Sequence, residues 1–188
     1  MERAVVMTGI GGQGIQLIAK LLAQAGIAAG KQVMTFGIFG GMIRGGSSEA
    51  TVVLGDAEIV TPPIVPRVWA VLAMHPEGLP KLASKIKGDG VLVANTNLVA
   101  KPPAWNGVHV VLVPATDLAK EIGQPLGAGM IALGALAAAT GLVSIDALGA
   151  ALADILPPHR RQHVEANRRC VVRGAEYVGR DAAPDAWT

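Results

Sequence analysis

The stretch that decides the fold is "TGIGGQGIQLIAK", which runs from Thr8 to Lys20. It follows an apolar run over residues 3–9, which predicts a buried strand, and it opens an apolar helical pattern over residues 13–30. A second strand is predicted over residues 31–36. Strand, helix and strand in this order form a βαβ unit, the building block of an α/β fold.

The glycines of this stretch satisfy a G-x-G-x-x-G spacing at Gly9, Gly11 and Gly14. Backbone amides at such a helix start can bind an anion, as in a dinucleotide pyrophosphate site. A dinucleotide site also expects an acidic residue after the second strand, yet no Asp or Glu occurs between Glu2 and Glu49. The spacing is equally typical of a tight turn that only lets the helix pack closely on the sheet.

The rest of the chain continues the alternation. Strands are predicted over residues 67–74, 90–96 and 107–116, a hairpin turn at Gly55-Asp56, and a helix from Glu77 to Lys87. Later helices are predicted to begin at a cap on Thr116 or Asp117, at Gly129, at the Ser144 cap and near His159. We expect an α/β, Rossmann-like fold: an open, mainly parallel sheet with helices on both faces and an added β-hairpin. We expect a single domain over residues 1–188, with a frayed tail from about residue 179.

Composition restricts the function. The net charge is +2 and aromatic residues make up 3% of the chain, so we expect no nucleic-acid partner. The uncharged stretch between Glu121 and Asp146 is broken by glycines and a proline, so we expect a buried helix and no membrane span. Residues 1–9 lack an apolar signal core, which predicts a cytoplasmic protein. Cys170 is the single cysteine, too few for an internal disulfide or the four thiolates of an iron–sulfur cluster.

Three other motifs have simpler interpretations than catalysis. The run 88–90, Gly-Asp-Gly, resembles the start of a thiamine diphosphate and magnesium motif, but no asparagine follows at the required distance, and we interpret it as a helix-to-strand turn. His159 and His163 lack a third metal ligand and lie beside two arginines, which favours a solvated or partner-facing helix. His75 is the one histidine near the expected ligand crevice, and a polar strand end is the simpler interpretation.

A second glycine-rich stretch is "FGIFGGMIRGGSSEATVVLGD", from Phe36 to Asp56. Glycines at positions 40, 41, 45 and 46 flank Arg44, and two serines follow. Glycines permit close backbone approach to another molecule, and a guanidinium recognises carboxylate or phosphate with two parallel hydrogen bonds. These features predict a docking loop, with a flexible surface loop and a solvated arginine as the alternative.

Taken together, G-x-G-G-Q-G at the first turn and R-G-G-S-S before the next strand resemble the gamma subunit of 2-oxoacid:ferredoxin (acceptor) oxidoreductases. The resemblance covers most of the chain and includes "VLVANTNLV", "MIALGALAAATGLVS" and "EANRRCVVRGAEYV". One departure is visible: the family usually has an asparagine just before M-x-x-L-G-A-L, where this chain has Gly129.

The resemblance implies an accessory subunit that is inactive alone and has no catalytic residue. It implies a complex that converts a 2-oxoacid to an acyl-CoA with thiamine diphosphate, Mg, iron–sulfur clusters and coenzyme A. The expected partners are alpha and beta (thiamine-binding) subunits and a ferredoxin-like cluster subunit, with a flavin/NAD subunit as a further candidate.

The residues that we expect near a subunit interface or the phosphates of coenzyme A are Gly11, Gly12, Gln13, Gly14, Arg44, Gly45, Gly46 and Ser47. A free-standing NADP-binding Rossmann-like reductase is the alternative function, against which the missing acidic residue argues.

Arginines are concentrated near the C-terminus, at Arg160, Arg161, Arg168, Arg169 and Arg173. A helix face with this composition is typical of an interface with an acidic surface, and equally of a solvated surface.

Overall fold

The computed structural model describes residues 1–39, 46–62, 64–179 and 184–187. Its sheet has six strands in the order β2-β3-β1-β4-β5-β6. Their bounds are Glu2–Ile10 (β1), Gln32–Phe39 (β2), Ser47–Gly55 (β3), Val68–Ala73 (β4), Ile86–Asn95 (β5) and His109–Val113 (β6). β1, β4, β5 and β6 pair in parallel, whereas β3 runs antiparallel between β1 and β2. The sheet is therefore mainly parallel with an antiparallel insertion, and the predicted α/β fold class is confirmed.

The α-helices connect these strands and then form a bundle after β6. Their bounds are Ile15–Ala28 (α1), Leu79–Leu82 (α2), Ala115–Glu121 (α3), Ala128–Thr140 (α4), Ile145–Ile155 (α5) and Val164–Val178 (α6). Ser144 caps α5 as predicted, because its hydroxyl accepts a hydrogen bond from the backbone N–H of Ala147 at 3.0 Å.

The two faces of the sheet are covered unequally. Val5 and Met7 of β1 point into a large core that includes α1, α4, α5 and α6. Ala4 and Val6, which alternate with them, point into a smaller core closed by the single turn of α2 and by loops. Helices thus lie on both faces, but nearly all of the helical mass lies on one.

Two glycines allow α4 and α6 to cross at close range. A Cβ on Gly134 of α4 would overlap the carbonyl oxygen of Val171, and one on Gly174 of α6 would overlap that of Ile131. Each glycine therefore lies against the backbone of the opposite helix. The crossing fixes α6 on the core through Cys170 and Val171, which are buried.

We expect Gly174→Ala to lower the free energy of unfolding by about 1–3 kcal/mol or more, because the new methyl group meets a backbone atom that has no free space to move into. Chemical denaturation monitored by circular dichroism measures the change. Gly149→Ala on α5 is the matched control, since its Cβ would meet only the flexible side chain of Arg168. Equal stability of the Gly174 variant and the wild type would contradict the close crossing.

The hairpin turn predicted at Gly55-Asp56 is wrong. β3 ends at Gly55, and no strand follows over residues 56–62. Both edges of β3 are already paired, with β1 and with β2, so no edge is left for a returning strand. The backbone N–H groups of Val60 and Thr61 donate instead to the carboxylate of Glu2. A hydrogen bond from the side chain of Thr61, followed by the one from the backbone of Val60, lowers the pKa of Glu2. The antiparallel insertion is the β2–β3 pair.

The helix predicted from Glu77 to Lys87 is also wrong, since only Leu79–Leu82 is α-helical and β5 begins at Ile86. The Gly-Asp-Gly run therefore lies inside β5 and is not a helix-to-strand turn. A register shift interrupts the β4–β5 pairing between Val68 and Ala70. Gly90 passes the carbonyl oxygen of Trp69 there, a position at which a Cβ would come within 2.6 Å.

The cap predicted for α3 comes from another part of the chain. Neither Thr116 nor Asp117 caps the helix; the side-chain oxygen of Asn97 accepts from the backbone N–H of Thr116 at 3.0 Å and of Asp117 at 3.2 Å. Asn97 lies just after β5, beside the end of β6. Tertiary proximity therefore supplies a cap that local spacing does not reveal.

The C-terminal region departs from prediction at two points. The segment Pro158–His163 is a 3-10 helix, and α6 begins only at Val164. In the tail, which was expected to fray, the described residues 184–187 pack on the domain. Ala186 is buried and donates its N–H to the carbonyl of Thr140, and the indole N–H of Trp187 donates to the carbonyl of Leu142.

Among the described residues, no helix combines the length and the apolar character that a membrane crossing requires.

Candidate functional site

The candidate site lies at the carboxyl edge of the sheet, between β1 and β4. The chain leaves β1 through α1, which packs on the large core, and leaves β4 through α2, which packs on the small core. The loops after these neighbouring parallel strands therefore separate to opposite faces of the sheet. Such a divergence is where ligands bind in open α/β sheets.

The first glycine loop, residues 11–14, leads into α1 without any side-chain cap. Gly14 is the N-cap residue in the left-handed conformation, with φ 73° and ψ 22°, and the first turn of α1 contains no acidic residue. The backbone N–H groups of Gly12, Gly14, Ile15 and Gln16 donate to no described residue. Unpaired amides and the positive end of the helix dipole form a site for an anion.

The sheet register brings Gly46 and Ser47, from the second glycine-rich stretch, to the first glycine loop. Ile10, at the end of β1, pairs with Ser47, at the start of β3. The N–H of Gly11 donates to the carbonyl of Gly46 at 2.9 Å. The side-chain amide of Gln16 donates to the backbone carbonyl of Glu49 at 3.0 Å, and this bond also joins α1 to β3. Six of the predicted site residues therefore lie at one edge of the sheet: Gly11, Gly12, Gln13, Gly14, Gly46 and Ser47.

Arg44 and Gly45, also predicted as site residues, lie outside the described residues. The flanking strands β2 and β3 both reach the carboxyl edge, since Phe39 pairs with Ser48 and Ser48 pairs with Gly9.

Gln13 links the loops after β1 and β4. Its side-chain oxygen accepts from the backbone N–H of Ile10 at 2.8 Å, and its amide nitrogen donates to the carbonyl of Met74 at 3.3 Å. The N–H of Met74 in turn donates to the carbonyl of Thr8 at 2.8 Å. The side chain of Gln13 therefore has a structural role in the crevice, which the glycine pattern did not indicate.

We expect Gln13→Leu to lower the free energy of unfolding by about 1–3 kcal/mol, because a leucine of similar size leaves two partly buried backbone groups without partners. Urea denaturation measures this loss. Gln24→Leu, on the same helix but without a described hydrogen bond, is the control. Identical midpoints for both variants would contradict the linking role.

Gly129, where the family resemblance predicts an asparagine, lies against the first glycine loop. A Cβ on Gly129 would lie 3.0 Å from the carbonyl oxygen of Gln13, which is closer than side chains ordinarily approach. The first turn of α4 thus packs directly on the first glycine loop. Its N-cap residue, Gly127, provides no side-chain cap. The predicted helix starting at Gly129 is confirmed, but its contact with the loop was not predictable from spacing.

Two buried polar atoms at the same edge have no hydrogen-bond partner among the described residues. They are the hydroxyl of Thr8 and the side-chain oxygen of Asn95. Thr8 lies in β1 against Gly78, where a Cβ would overlap the hydroxyl, and the side-chain amide of Asn95 donates to the hydroxyl of Thr116 at 3.0 Å. No sequence pattern indicated that either residue belongs to the candidate site.

The histidines do not assemble a reactive group with described neighbours. The Nδ1 atom of His75 accepts from the backbone N–H of Glu77 at 3.4 Å and caps a single 3-10 turn. His159 and His163 are exposed on the 3-10 helix before α6. The described residues contain no cluster of three potential metal ligands.

Cys170 is packed in the α4–α6 crossing, where Gly127 lies against its sulfur. Burial raises the pKa of the Cys170 thiol, and the nearby charge of Arg169 opposes this shift only in part. Since the thiolate is the reactive form, this cysteine is suited to packing and not to chemistry.

We expect Cys170 to resist alkylation by iodoacetamide at neutral pH in the folded protein and to react fully after denaturation, because both access and ionisation are suppressed. Mass spectrometry of the labelled chain measures the modified fraction. Equal labelling rates in the folded and denatured states would contradict this assignment.

Comparisons with known proteins identify the family. The model of the family "Pyruvate ferredoxin/flavodoxin oxidoreductase" matches residues 4–177. The chain belongs to this family. It is 29% identical to 2-oxoglutarate synthase subunit KorC of Methanothermobacter thermautotrophicus over 93% of this chain and 98% of the relative.

One solved structure agrees with this assignment, and a second shares the fold. The gamma subunit of a keto/oxoacid ferredoxin oxidoreductase from Geobacter sulfurreducens is 30% identical, with a TM-score of 0.80 over 95% of this chain and 97% of that one. The 2-oxoglutarate:ferredoxin oxidoreductase from Magnetococcus marinus, solved with 2-oxoglutarate, coenzyme A and succinyl-CoA, has a TM-score of 0.82. The match covers 98% of this chain and 33% of that one at 23% identity, which shows the fold alone.

Within the family the chain is a gamma subunit of a multisubunit 2-oxoacid:ferredoxin oxidoreductase, and it works with other subunits of that enzyme. The predicted resemblance is confirmed. The alternative of a free-standing NADP-dependent reductase has no support among these relatives.

Proposed function

We propose that this gamma subunit presents its two glycine loops to the phosphates of coenzyme A, at or near its interface with the thiamine-binding subunits. The enzyme that it completes converts a 2-oxoacid to an acyl-CoA in the cytoplasm. The proposal rests on the hydrogen bond from the N–H of Gly11 to the carbonyl of Gly46. This bond joins the two glycine-rich stretches beside the start of α1, which has no side-chain cap.

The described donors suit a phosphate group. The amides of Gly12, Gly14 and Ile15 are unpaired among the described residues, and Gly12 and Gly14 are exposed. A phosphate at the N-terminus of a 14-residue helix gains both hydrogen bonds and the favourable end of the helix dipole. Coenzyme A, when bound in the complex, supplies the thiol that accepts the acyl group.

The chain's own residues do not fit the other cofactors of such an enzyme. An iron–sulfur cluster needs several thiolates, whereas the sequence contains one cysteine, which is buried. The Gly-Asp-Gly run lies within β5 and does not form a separate metal-binding loop. We therefore place thiamine diphosphate, Mg and the clusters on the alpha, beta and ferredoxin-like subunits. Electrons leave through ferredoxin or a flavin/NAD subunit.

Gly12→Ala tests the loop in the assembled enzyme. Gly12 has φ 96° and open space around it, so an alanine there meets no neighbouring atom but strains the backbone that presents the unpaired amides. We expect the KM for coenzyme A to rise about tenfold or more, because one hydrogen bond to a charged group would be lost. The effect on kcat should be smaller.

Gly30→Ala is the matched control, because Gly30 has φ 75° and equally open space but lies at the far end of α1. Both substitutions impose a similar backbone strain, so only a difference between them reports on the loop. Arg44→Ala provides a second variant from the other loop. Unchanged assembly, turnover and KM for coenzyme A in both loop variants would overturn the proposal.

A further inference from the structure

β2 forms one end of the six-stranded sheet. It pairs with β3 from Gln32 to Phe39 without a shift in register, and its sequence, QVMTFGIF, contains no charged residue and no proline. Natural proteins usually protect an open sheet edge with a lysine, a proline or a bulge, because a long regular edge accepts another strand. β2 has none of these three protections, so its sequence favours pairing at the outer edge.

The outward-facing backbone groups of β2 follow from the hydrogen bonds of the sheet. The N–H of Gly11 donates to the carbonyl of Gly46, which continues the β1–β3 register by one pair. Bonded and non-bonded pairs alternate in an antiparallel ladder, so the even-numbered residues of β3 bond to β1 and the odd-numbered ones bond to β2. The β2–β3 register pairs these odd-numbered residues with even-numbered residues of β2. The N–H and carbonyl groups of Val33, Thr35 and Gly37 therefore point away from the sheet.

These outward groups form a regular row that is open to another strand. Thr35 and Gly37 are exposed and Val33 is half-buried, and no described residue outside the sheet bonds to their backbone. The three residues are evenly spaced about Thr35, so the row presents the same spacing of donors and acceptors in both directions. A row of this kind binds an extended strand through main-chain hydrogen bonds.

Apolar side chains lie on both sides of this row. Met34 packs against the small core, and Phe36 and Ile38, which follow on the same face of β2, are 37% and 48% exposed. On the opposite face, a groove of 360 Å³ lies between α1 and β2. Ile27 lines this groove and is 56% exposed, and Lys20 is the only charged residue among the described residues that line it. An almost uncharged exposed surface of this kind is typical of an interaction site.

A second copy of the chain complements this edge. Across a two-fold axis perpendicular to the sheet, Thr35 lies opposite Thr35 of the second copy, and Val33 lies opposite Gly37. These are the residues whose backbone groups point outward, so each pair forms the hydrogen bonds of an antiparallel ladder. Gly37 has no side chain and leaves room for Val33. On the face of the small core, Met34 lies opposite Phe36, which joins two apolar side chains.

The side chains select the partner, since any extended strand can form the main-chain bonds. A strand with charged residues would place a charge against Phe36 and Ile38, where it loses water without gaining an opposite charge. A second β2 brings no charge to this face. The edge therefore favours its own copy over a charged strand of another protein.

We propose that β2 is a self-association edge, at which two copies of this chain pair across a two-fold axis and form one continuous sheet. The proposal goes beyond the function assigned to the glycine loops, since it concerns a different surface and needs no coenzyme. It brings two gamma subunits into contact, which is distinct from the contact of a gamma subunit with the thiamine-binding subunits.

A charge placed at the axis tests the pairing. Sedimentation equilibrium of the full chain measures the dissociation constant of the dimer, whose expected mass is twice 19.2 kDa. Thr35→Lys places two like charges directly opposite each other, so we expect the dissociation constant to rise about fivefold or more, and by less at high salt. An equimolar mixture of Thr35→Lys and Thr35→Glu should restore the dimer, because the opposed charges then attract.

Leu112→Lys is the matched control, because Leu112 is 48% exposed on β6, the strand at the other end of the sheet. We expect this variant to leave the dissociation constant unchanged. A wild-type chain that stays monomeric, or a Thr35→Lys variant that dimerises as tightly as the wild type, would contradict the proposal. Circular dichroism verifies that the variants are folded.

Cross-linking tests the contact within the assembled enzyme. Thr35→Cys places a thiol beside the axis, and Cys170, the other cysteine of the chain, is buried and reacts slowly. We expect a short bismaleimide to join two gamma chains, with the linked peptides identified by mass spectrometry. If position 35 is linked only to a different subunit, or to none, two gamma subunits do not meet at this edge and the proposal fails. Neither result depends on the binding of coenzyme A, so the proposed function stands or falls separately.

Discussion

The antiparallel pairing of β1 with β3 is the constraint on which the candidate site depends. It runs without interruption from the pair Glu2 and Gly55 to the pair Ile10 and Ser47. Most of this backbone is buried, so its amides and carbonyls must be paired within the protein. A slip of one residue would exchange Val52, which faces the large core, with Val53, which faces the small one. The register is therefore fixed by packing, and it places Gly46 against Gly11.

Glycines that let one element lie directly against the backbone of another are the second recurring feature of the structure. Gly129 admits the carbonyl of Gln13, and Gly134 and Gly174 admit the backbones of α6 and α4. With aromatic residues at only 3% of the chain, a dense core must come from small and aliphatic side chains. The same glycines connect the first glycine loop to α4, and α4 to α6. The first glycine loop, α4 and α6 are therefore linked by direct contacts with backbone atoms.

Among the described residues, the groups that the carboxyl edge between β1 and β4 offers to a ligand are mainly those of the backbone. Gly12 and Gly14 present amides, and Gly14 begins a helix without a capping side chain. His75, which follows β4, is engaged with the turn after it. Unpaired amides at the start of a helix are suited to holding a negatively charged group.

The sequence by itself determined the βαβ start, the fold class and the family, because each depends on local signals: apolar periodicity, glycines at fixed spacing and helix caps such as Ser144. It also identified both glycine loops. It could not determine that β3 uses both of its edges, which removes the hairpin at Gly55-Asp56. Nor could it determine that Asn97, just after the neighbouring strand β5, caps α3. Those features, with the linking role of Gln13 and the burial of Cys170, join residues that are distant in the chain. Only tertiary packing decides which of them meet, because local preferences are worth less than the burial of a shared core.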